Sequence, residues 1–303
     1  MSPFLDRPIA HRGLHDKKLI IENSLEAFEN AMKHNLAIEC DIVLSKDKEI
    51  IVFHDYDLKR MCGINSNIND LSTNEIRKLK LLDTDCKIPS LDEMLHLVDG
   101  QTPILIEIKS GFNPEIEERL IEIIRAYNGE IALQSFDYKM CEWFKINAPF
   151  YKTGLITSND NIDFKEISHL GINFLAVDVE KISIRNIQSI RKKNIPLLTW
   201  TINSMEKYNL SKQFADNIIL EDNSGLLQAE LSAVDYAAQA SESTDLSGEI
   251  ILEDELSNKD LKEESFELLD NFNDPSKSFS ISNFLSSSGI SRPSAASIKD
   301  SAK

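Results

Sequence analysis

Eight short apolar segments, separated by stretches with helical spacing, run through about the first 230 residues of this chain. The strand candidates are Pro8–Ala10, Ala37–Leu44, Pro103–Ile108, Glu130–Leu133, Tyr151–Ile156, Phe174–Val179, Pro196–Thr201 and Asn217–Leu220. Helix signals fall between most of them: Asn23 as N-cap with Glu26 three residues on, Ser90 with Glu93, and Ser183–Lys193 with its basic last turn. Ser224–Gln239 reads as the last helix. Such strand–helix alternation leaves two architectures, an open doubly wound sheet or a closed (β/α)8 TIM barrel. No GxGxxG or GxxxxGK[ST] follows any strand, which favours the barrel. One stretch breaks the alternation. Residues 45–90 hold a short strand at Glu49–Phe53, polar turn-rich sequence and a helix at Thr73–Leu81, and so read as a small insertion after strand 2.

Composition separates a folded part from a tail. The 303 residues carry 33 basic and 50 acidic side chains, a formal charge of −17, with 42% hydrophobic residues. From Glu230 to Lys303 there are 15 acidic and 6 basic residues and 17 serines. That tail holds too few apolar groups to offset the entropy of ordering. The expected division is a barrel over 1–239 and a disordered, acidic, Ser-rich tail over 240–303. The amphipathic spacing at Asp260–Phe272 is read as chance rather than as a docking segment. An acidic chain without a basic face is not expected to bind nucleic acid. No apolar run is long enough to insert stably in a membrane. The N-terminus has no basic and then apolar segment of the secretory kind. Cys40, Cys62, Cys86 and Cys141 show neither a CxxC pair nor zinc spacing, so reduced thiols in a cytoplasmic protein are expected.

The chemistry sits where polar residues interrupt the strands. In Ala37–Leu44, Glu39 and Asp41 are two apart and so share one side of a strand; Glu107 and Lys109 repeat the spacing. Both pairs lie at the C-terminal strand ends, where a parallel barrel builds its active site. Three carboxylates converging there repel one another, and a hard divalent cation, Mg²⁺ or Ca²⁺, relieves this with all-oxygen ligands. The alternative is a buried salt network with Lys109 and Arg12. His11 and Arg12 follow the first strand and His54 follows Glu49–Phe53. Two histidines suit general acid and base roles near neutral pH, and Arg12 with Lys109 suits a phosphate. His15, His34, His96 and His169 lack such company and receive no role.

These residues also form an ordered pattern. His11-Arg12-Gly13, Glu22-Asn23-Ser24, Glu39-Cys40-Asp41, His54-Asp55 with Leu58 and Arg60, Ile88–Glu93, Glu107-Ile108-Lys109, Gln134-Ser135-Phe136 and Thr199–Asn203 resemble the glycerophosphodiester phosphodiesterase family over about residues 8–225. The resemblance implies a barrel with an insertion after strand 2, Glu39, Asp41 and Glu107 as ligands of one divalent cation, and His11 and His54 as the acid–base pair. It further implies Arg12 and Lys109 on the phosphate and Trp200 lining the pocket for the alcohol. The implied reaction releases glycerol 3-phosphate and an alcohol such as choline or ethanolamine from a small-molecule glycerophosphodiester. Lysophospholipase D activity and a non-catalytic phosphodiester-binding module, with the tail recruiting an unknown protein partner, are the rival expectations. Asn35 and Lys48 stand where the family tends to have glycine, and Leu220–Asn223 departs from its usual last strand end.

Overall fold

The structure is a computed structural model that describes residues 6–16, 18–109, 111–160, 162–222 and 226–228. Its strands are β1 (Ile9–Ala10), β2 (Ala37–Leu44), β3 (Ile50–Val52), β4 (Ile104–Ile108), β5 (Ile131–Ser135), β6 (Lys152–Thr157), β7 (Phe174–Asp178), β8 (Leu197–Ile202) and β9 (Asn217–Leu220). All but β3 pair in parallel, in sequence order from β1 through β2 and β4 to β9, and β9 returns to β1. The ring is therefore closed: a TIM barrel of eight strands. β3 pairs antiparallel on β2, outside the ring, and opens the insertion.

Alternation along each strand decides what fills which layer. Ala37, Leu105, Ala132, Phe174, Ala176, Leu198 and Ile219 pack together inside the barrel. Their neighbours Ile38, Cys40, Ile42, Ile104, Ile106 and Ile108 face outward and pack on the helices. Glu39 and Asp41 have the parity of Ala37, and Glu107 that of Leu105. The register sets Asp41 beside Glu107 on the adjoining strand. On β2 and β4 the inward-facing apolar residues Ala37 and Leu105 give way to Glu39, Asp41 and Glu107 toward the C-terminal end of the barrel.

The helices are α1 (Leu25–Lys33), α2 (Lys59–Cys62), α3 (Thr73–Ile76), α4 (Leu91–Val98), α5 (Pro114–Ile124), α6 (Tyr138–Asn147), α7 (Phe164–Leu170), α8 (Ile184–Lys192) and α9 (Met205–Ser211). Two expectations need correction. Ser24, not Asn23, caps α1, its hydroxyl accepting from the Ala27 N–H, while Asn23 takes φ +56° and turns its side chain to the site. The helix expected over Thr73–Leu81 ends at Ile76. Leu81 and Leu82 donate their N–H groups to Cys86 and Met61, and this places Leu81 in the insertion's own core with Ile51, Phe53, Leu58, Met61 and Ile68. The Ser90–Glu93 capping box and the Ser183 cap are present as expected. Leu226–Gln228 are helical; the rest of the expected last helix and the whole tail, 240–303, lie outside the described residues. No helix among the described residues is long and apolar enough to cross a membrane.

Asn35 and Lys48 both adopt the left-handed conformation, at φ +57° and +66°. Asparagine is at ease there, lysine is not. Lys48→Gly is expected to raise stability by about 1 kcal/mol, since the exposed Lys48–Glu115 ion pair it loses contributes little. An unchanged or lower denaturant midpoint would refute this.

Candidate active site

The C-terminal strand ends bring the expected residues into one mouth. β2 supplies Glu39 and Asp41, β4 supplies Glu107, the residue after it is Lys109, and the turn after β1 carries His11 and Arg12. One oxygen from each of Glu39, Asp41 and Glu107 lies within 4.8 Å of the others, and all three residues are buried. The cationic neighbours do pair with them: Arg12 Nε is 3.2 Å from Asp41 Oδ2, and Lys109 Nζ is 2.6 Å from Glu107 Oε1 and 3.6 Å from Asp41 Oδ1. The salt network expected as an alternative is thus present, yet it does not satisfy the acids. Glu39 Oε1 and Asp41 Oδ1 are buried without a hydrogen-bond partner among the described residues. Orphaned carboxylate oxygens this close are costly, and a set of hard, converging oxygens fits a divalent cation.

Electrostatics divide the three acids. Burial, and then the charges of Asp41 and Glu107, raise the Glu39 carboxyl well above the ordinary range. Burial and Asp41 push Glu107 up to about 7 against the pull of Lys109. Burial also works against the Asp41 charge, but Arg12 and Lys109 outweigh it and hold this carboxyl low. Asn23 adds to that hold, donating its Nδ2–H to Asp41 Oδ2 at 2.8 Å while its Oδ1 accepts from the Asp41 backbone N–H at 3.3 Å. Backbone geometry helps Glu39: its Oε2 accepts from the Arg12 N–H at 2.8 Å.

Each histidine is backed by a carboxylate. His11 Nδ1 lies 2.8 Å from Glu221 Oε1 and His54 Nδ1 2.6 Å from Asp55 Oδ1. An ionised carboxylate only accepts, so Nδ1 is the donor in both and Nε2 is the ring nitrogen left to exchange a proton with a substrate. Burial lowers the pKa of His54 from its usual 6.5. Asp55 and Glu22 are in turn gripped by Arg60. Trp200, at the end of β8, meets Phe136 edge to face at 5.8 Å, and Lys109 Nζ stands 6.0 Å from the Phe136 ring centre. Tyr56 donates its hydroxyl to the Lys109 carbonyl at 2.6 Å.

All eight expected residues, His11, Arg12, Glu39, Asp41, His54, Glu107, Lys109 and Trp200, belong to strands or turns at this end of the barrel. Glu22, Asn23, Asp55, Arg60, Phe136 and Glu221 had no assigned part. Glu221 was legible by the rule that found the others, being the first polar residue after an apolar strand. Asn23 was hidden because its spacing to Glu26 imitates a helix cap.

A closed parallel barrel whose mouth holds an acidic triad, two carboxylate-backed histidines and two cations defines a hydrolase that handles phosphate esters. A model of the glycerophosphoryl diester phosphodiesterase family matches residues 11–226. The glycerophosphodiester phosphodiesterase of Caldanaerobacter subterraneus is 31% identical over 239 residues, covering 72% of this chain and 95% of that protein. Lysophospholipase D GDPD1 of Rattus norvegicus is 34% identical over 140 residues, covering 42% of this chain and 43% of that one. Among solved structures, an Oleispira antarctica phosphodiesterase in complex with the product sn-glycerol-3-phosphate superposes with a TM-score of 0.68 at 21% identity, over 77% of this chain and 100% of that one. The chain belongs to the glycerophosphoryl diester phosphodiesterase family, a family of phosphoric diester hydrolases.

Proposed function

We propose that the protein hydrolyses small glycerophosphodiesters to glycerol 3-phosphate and an alcohol, with His11 and His54 as the acid–base pair. The observation that carries this reading is the acidic triad in the company of two histidines that both act on Asp41 and whose Nδ1 atoms are both tied to carboxylates. Glu39, Asp41 and Glu107 would hold one divalent cation, Mg²⁺ or Ca²⁺, which when bound polarises a phosphoryl oxygen and lowers the pKa of a bound hydroxyl. Arg12 and Lys109 would hold the phosphate by charge-assisted hydrogen bonds. One imidazole takes the proton from the attacking hydroxyl as its oxygen bonds to phosphorus. The other gives a proton to the alcohol oxygen as the old P–O bond breaks. Trp200, with Phe136 against it, offers an apolar wall for the alcohol. The net charge of −17 cannot attract an anionic diester, so capture falls to the local charges of Arg12 and Lys109. The four cysteines, none in a disulfide, support a cytoplasmic setting.

Release of glycerol 3-phosphate from glycerophosphocholine by purified protein tests the reading, with EDTA and then with either ion restored. No release with either ion from a folded protein would overturn it. Faster turnover of the acylated diester than of glycerophosphocholine would instead favour a lysophospholipase D. We take the catalytic unit to be residues 1–239. Deleting 241–303 is expected to leave turnover within about twofold, because every residue of the proposed site precedes the tail. Loss of activity in that shortened, folded chain would make the tail part of the functional unit.

A further inference from the structure

His11 and His54 stand on different pieces of the fold. His11 leaves β1 of the barrel, whereas His54 leaves β3, which pairs antiparallel with β2 outside the ring and begins the insertion. Proton transfer to and from one phosphodiester tolerates little error in the placement of its partners; misplacement by about 1 Å can cost about 10²-fold in rate. The insertion must therefore be held against the turn after β1 right at the mouth of the site.

Arg60, on α2 of the insertion, makes that junction with both edges of its guanidinium. Toward Asp55, Nε donates to Oδ2 at 2.6 Å and Nη2 to Oδ1 at 3.0 Å. Toward Glu22, Nη1 donates to Oε2 at 3.0 Å and Nη2 to Oε1 at 2.8 Å. Asp55 Oδ1 is the atom that accepts from His54, and Glu22 Oε1 is the atom that accepts from Arg12 Nη1, at 2.6 Å. The result is one unbroken chain of hydrogen bonds: His54, Asp55, Arg60, Glu22, Arg12. Glu22 and Asp55 are mostly buried, with side-chain exposures of 12% and 18%, whereas Arg60 is 46% exposed. Removing the guanidinium therefore opens no core cavity. It unties two buried carboxylates, one under the histidine and one under the phosphate-binding arginine. Only arginine has the planar fork to grip two carboxylates at once; a lysine ammonium is a point charge that satisfies one well.

We infer that Arg60 is a positioning residue, which sets His54 against Arg12 and His11 by clamping Asp55 and Glu22, without touching the substrate. The inference deepens the proposed function and rests on His54 being one of its proton-transfer groups. It is tested on the full chain with Arg60→Gln, Arg60→Lys, His54→Ala and the double variant of His54→Ala with Arg60→Gln. Arg60→Gln is expected to lower kcat for glycerophosphocholine by about 10- to 100-fold, as the loss of a residue behind a reactive group does. KM should change far less, and Arg60→Lys should recover part of kcat. In the His54→Ala background the same substitution should cost clearly less, because the imidazole it positions is gone and only its hold on Glu22 and Arg12 is left to lose. Equal losses in both backgrounds would overturn the inference. So would cooperative unfolding of Arg60→Gln at assay temperature, which would make Arg60 a structural residue. A second readout does not need turnover. The imidazole ¹⁵N signals of His54 should report the Nδ1–H tautomer in the unaltered protein and a mixture of tautomers in Arg60→Gln. An unchanged His54 signal in the folded variant sinks the inference. A changed signal in a protein that never releases glycerol 3-phosphate would instead sink the proposed function and leave the clamp standing.

Discussion

Replacing His54 by alanine is expected to lower turnover of glycerophosphocholine by about 10²- to 10⁴-fold, the usual effect of removing a group that transfers a proton in the transition state. Asp55 fixes Nδ1 as the donor at 2.6 Å, so the loss of the imidazole removes a proton-exchanging Nε2 that was already oriented. Burial lowers the His54 pKa from its usual 6.5, against the attraction of Asp41, which favours the neutral imidazole. The substitution should leave folding intact, because His54 lies at the rim of the insertion and its core neighbours Phe53, Leu58 and Met61 are untouched. Steady-state kinetics with a melting curve on the same sample gives the answer. Turnover within a few-fold of the unaltered protein, in a folded His54→Ala sample, would remove His54 from the reaction.

A divalent cation should stabilise the protein more at pH 8 than at pH 5, and EDTA should abolish turnover. Burial and the Asp41 charge push the Glu107 carboxyl up to about 7 from an ordinary 4.5, and Glu39 is displaced in the same direction. A folded-state pKa above the unfolded value means that the folded protein holds a proton the unfolded chain has released. Stability from this cause is full below the unfolded pKa and is lost as pH rises from about 4.5 through about 7. Asp41 acts in the opposite sense, contributing stability above pH 3.8 that is lost as pH falls through its depressed value. A cation replaces the protons on Glu39 and Glu107, so protons compete with it at pH 5 and hardly at pH 8. At about 100 times its Kd the ion should add about 2.7 kcal/mol, or about 5–10 °C in Tm for a chain of this size, at the higher pH. Melting curves with Mg²⁺, Ca²⁺ and EDTA at the two pH values check this. Equal shifts at both would mean that the ion binds elsewhere than the triad.

Much of the barrel was legible because a strand encodes its two faces locally. Ala37–Leu44 and Asn217–Leu220 match their expected bounds, and most other strands fall within two residues of theirs. The insertion was placed correctly but its interior was not. It read only as polar, turn-rich sequence, yet Leu58, Met61, Ile68 and Leu81 meet in a core of their own, since isolated apolar residues among turns carry no period to reveal which of them converge. The helix over Thr73–Leu81 stops at Ile76 because tertiary contacts outweigh local propensity: Leu82 N–H donates back to Met61 and Leu81 N–H to Cys86.

Within the site, the sequence by itself determined which acids share a face. A spacing of two suffices for Glu39 with Asp41, and strand ends are marked by where apolar residues stop. It also determined which residue types were available for proton transfer and for holding phosphate. Only the tertiary structure decided who stands behind them. Glu221 reaches His11 across 210 positions because β9 returns to close the ring on β1. Arg60 reaches Glu22 across 38 because β3 folds back on β2. Side-chain parity is a property of a few consecutive residues, whereas these partners depend on barrel closure and on the docking of the insertion, which no local pattern contains.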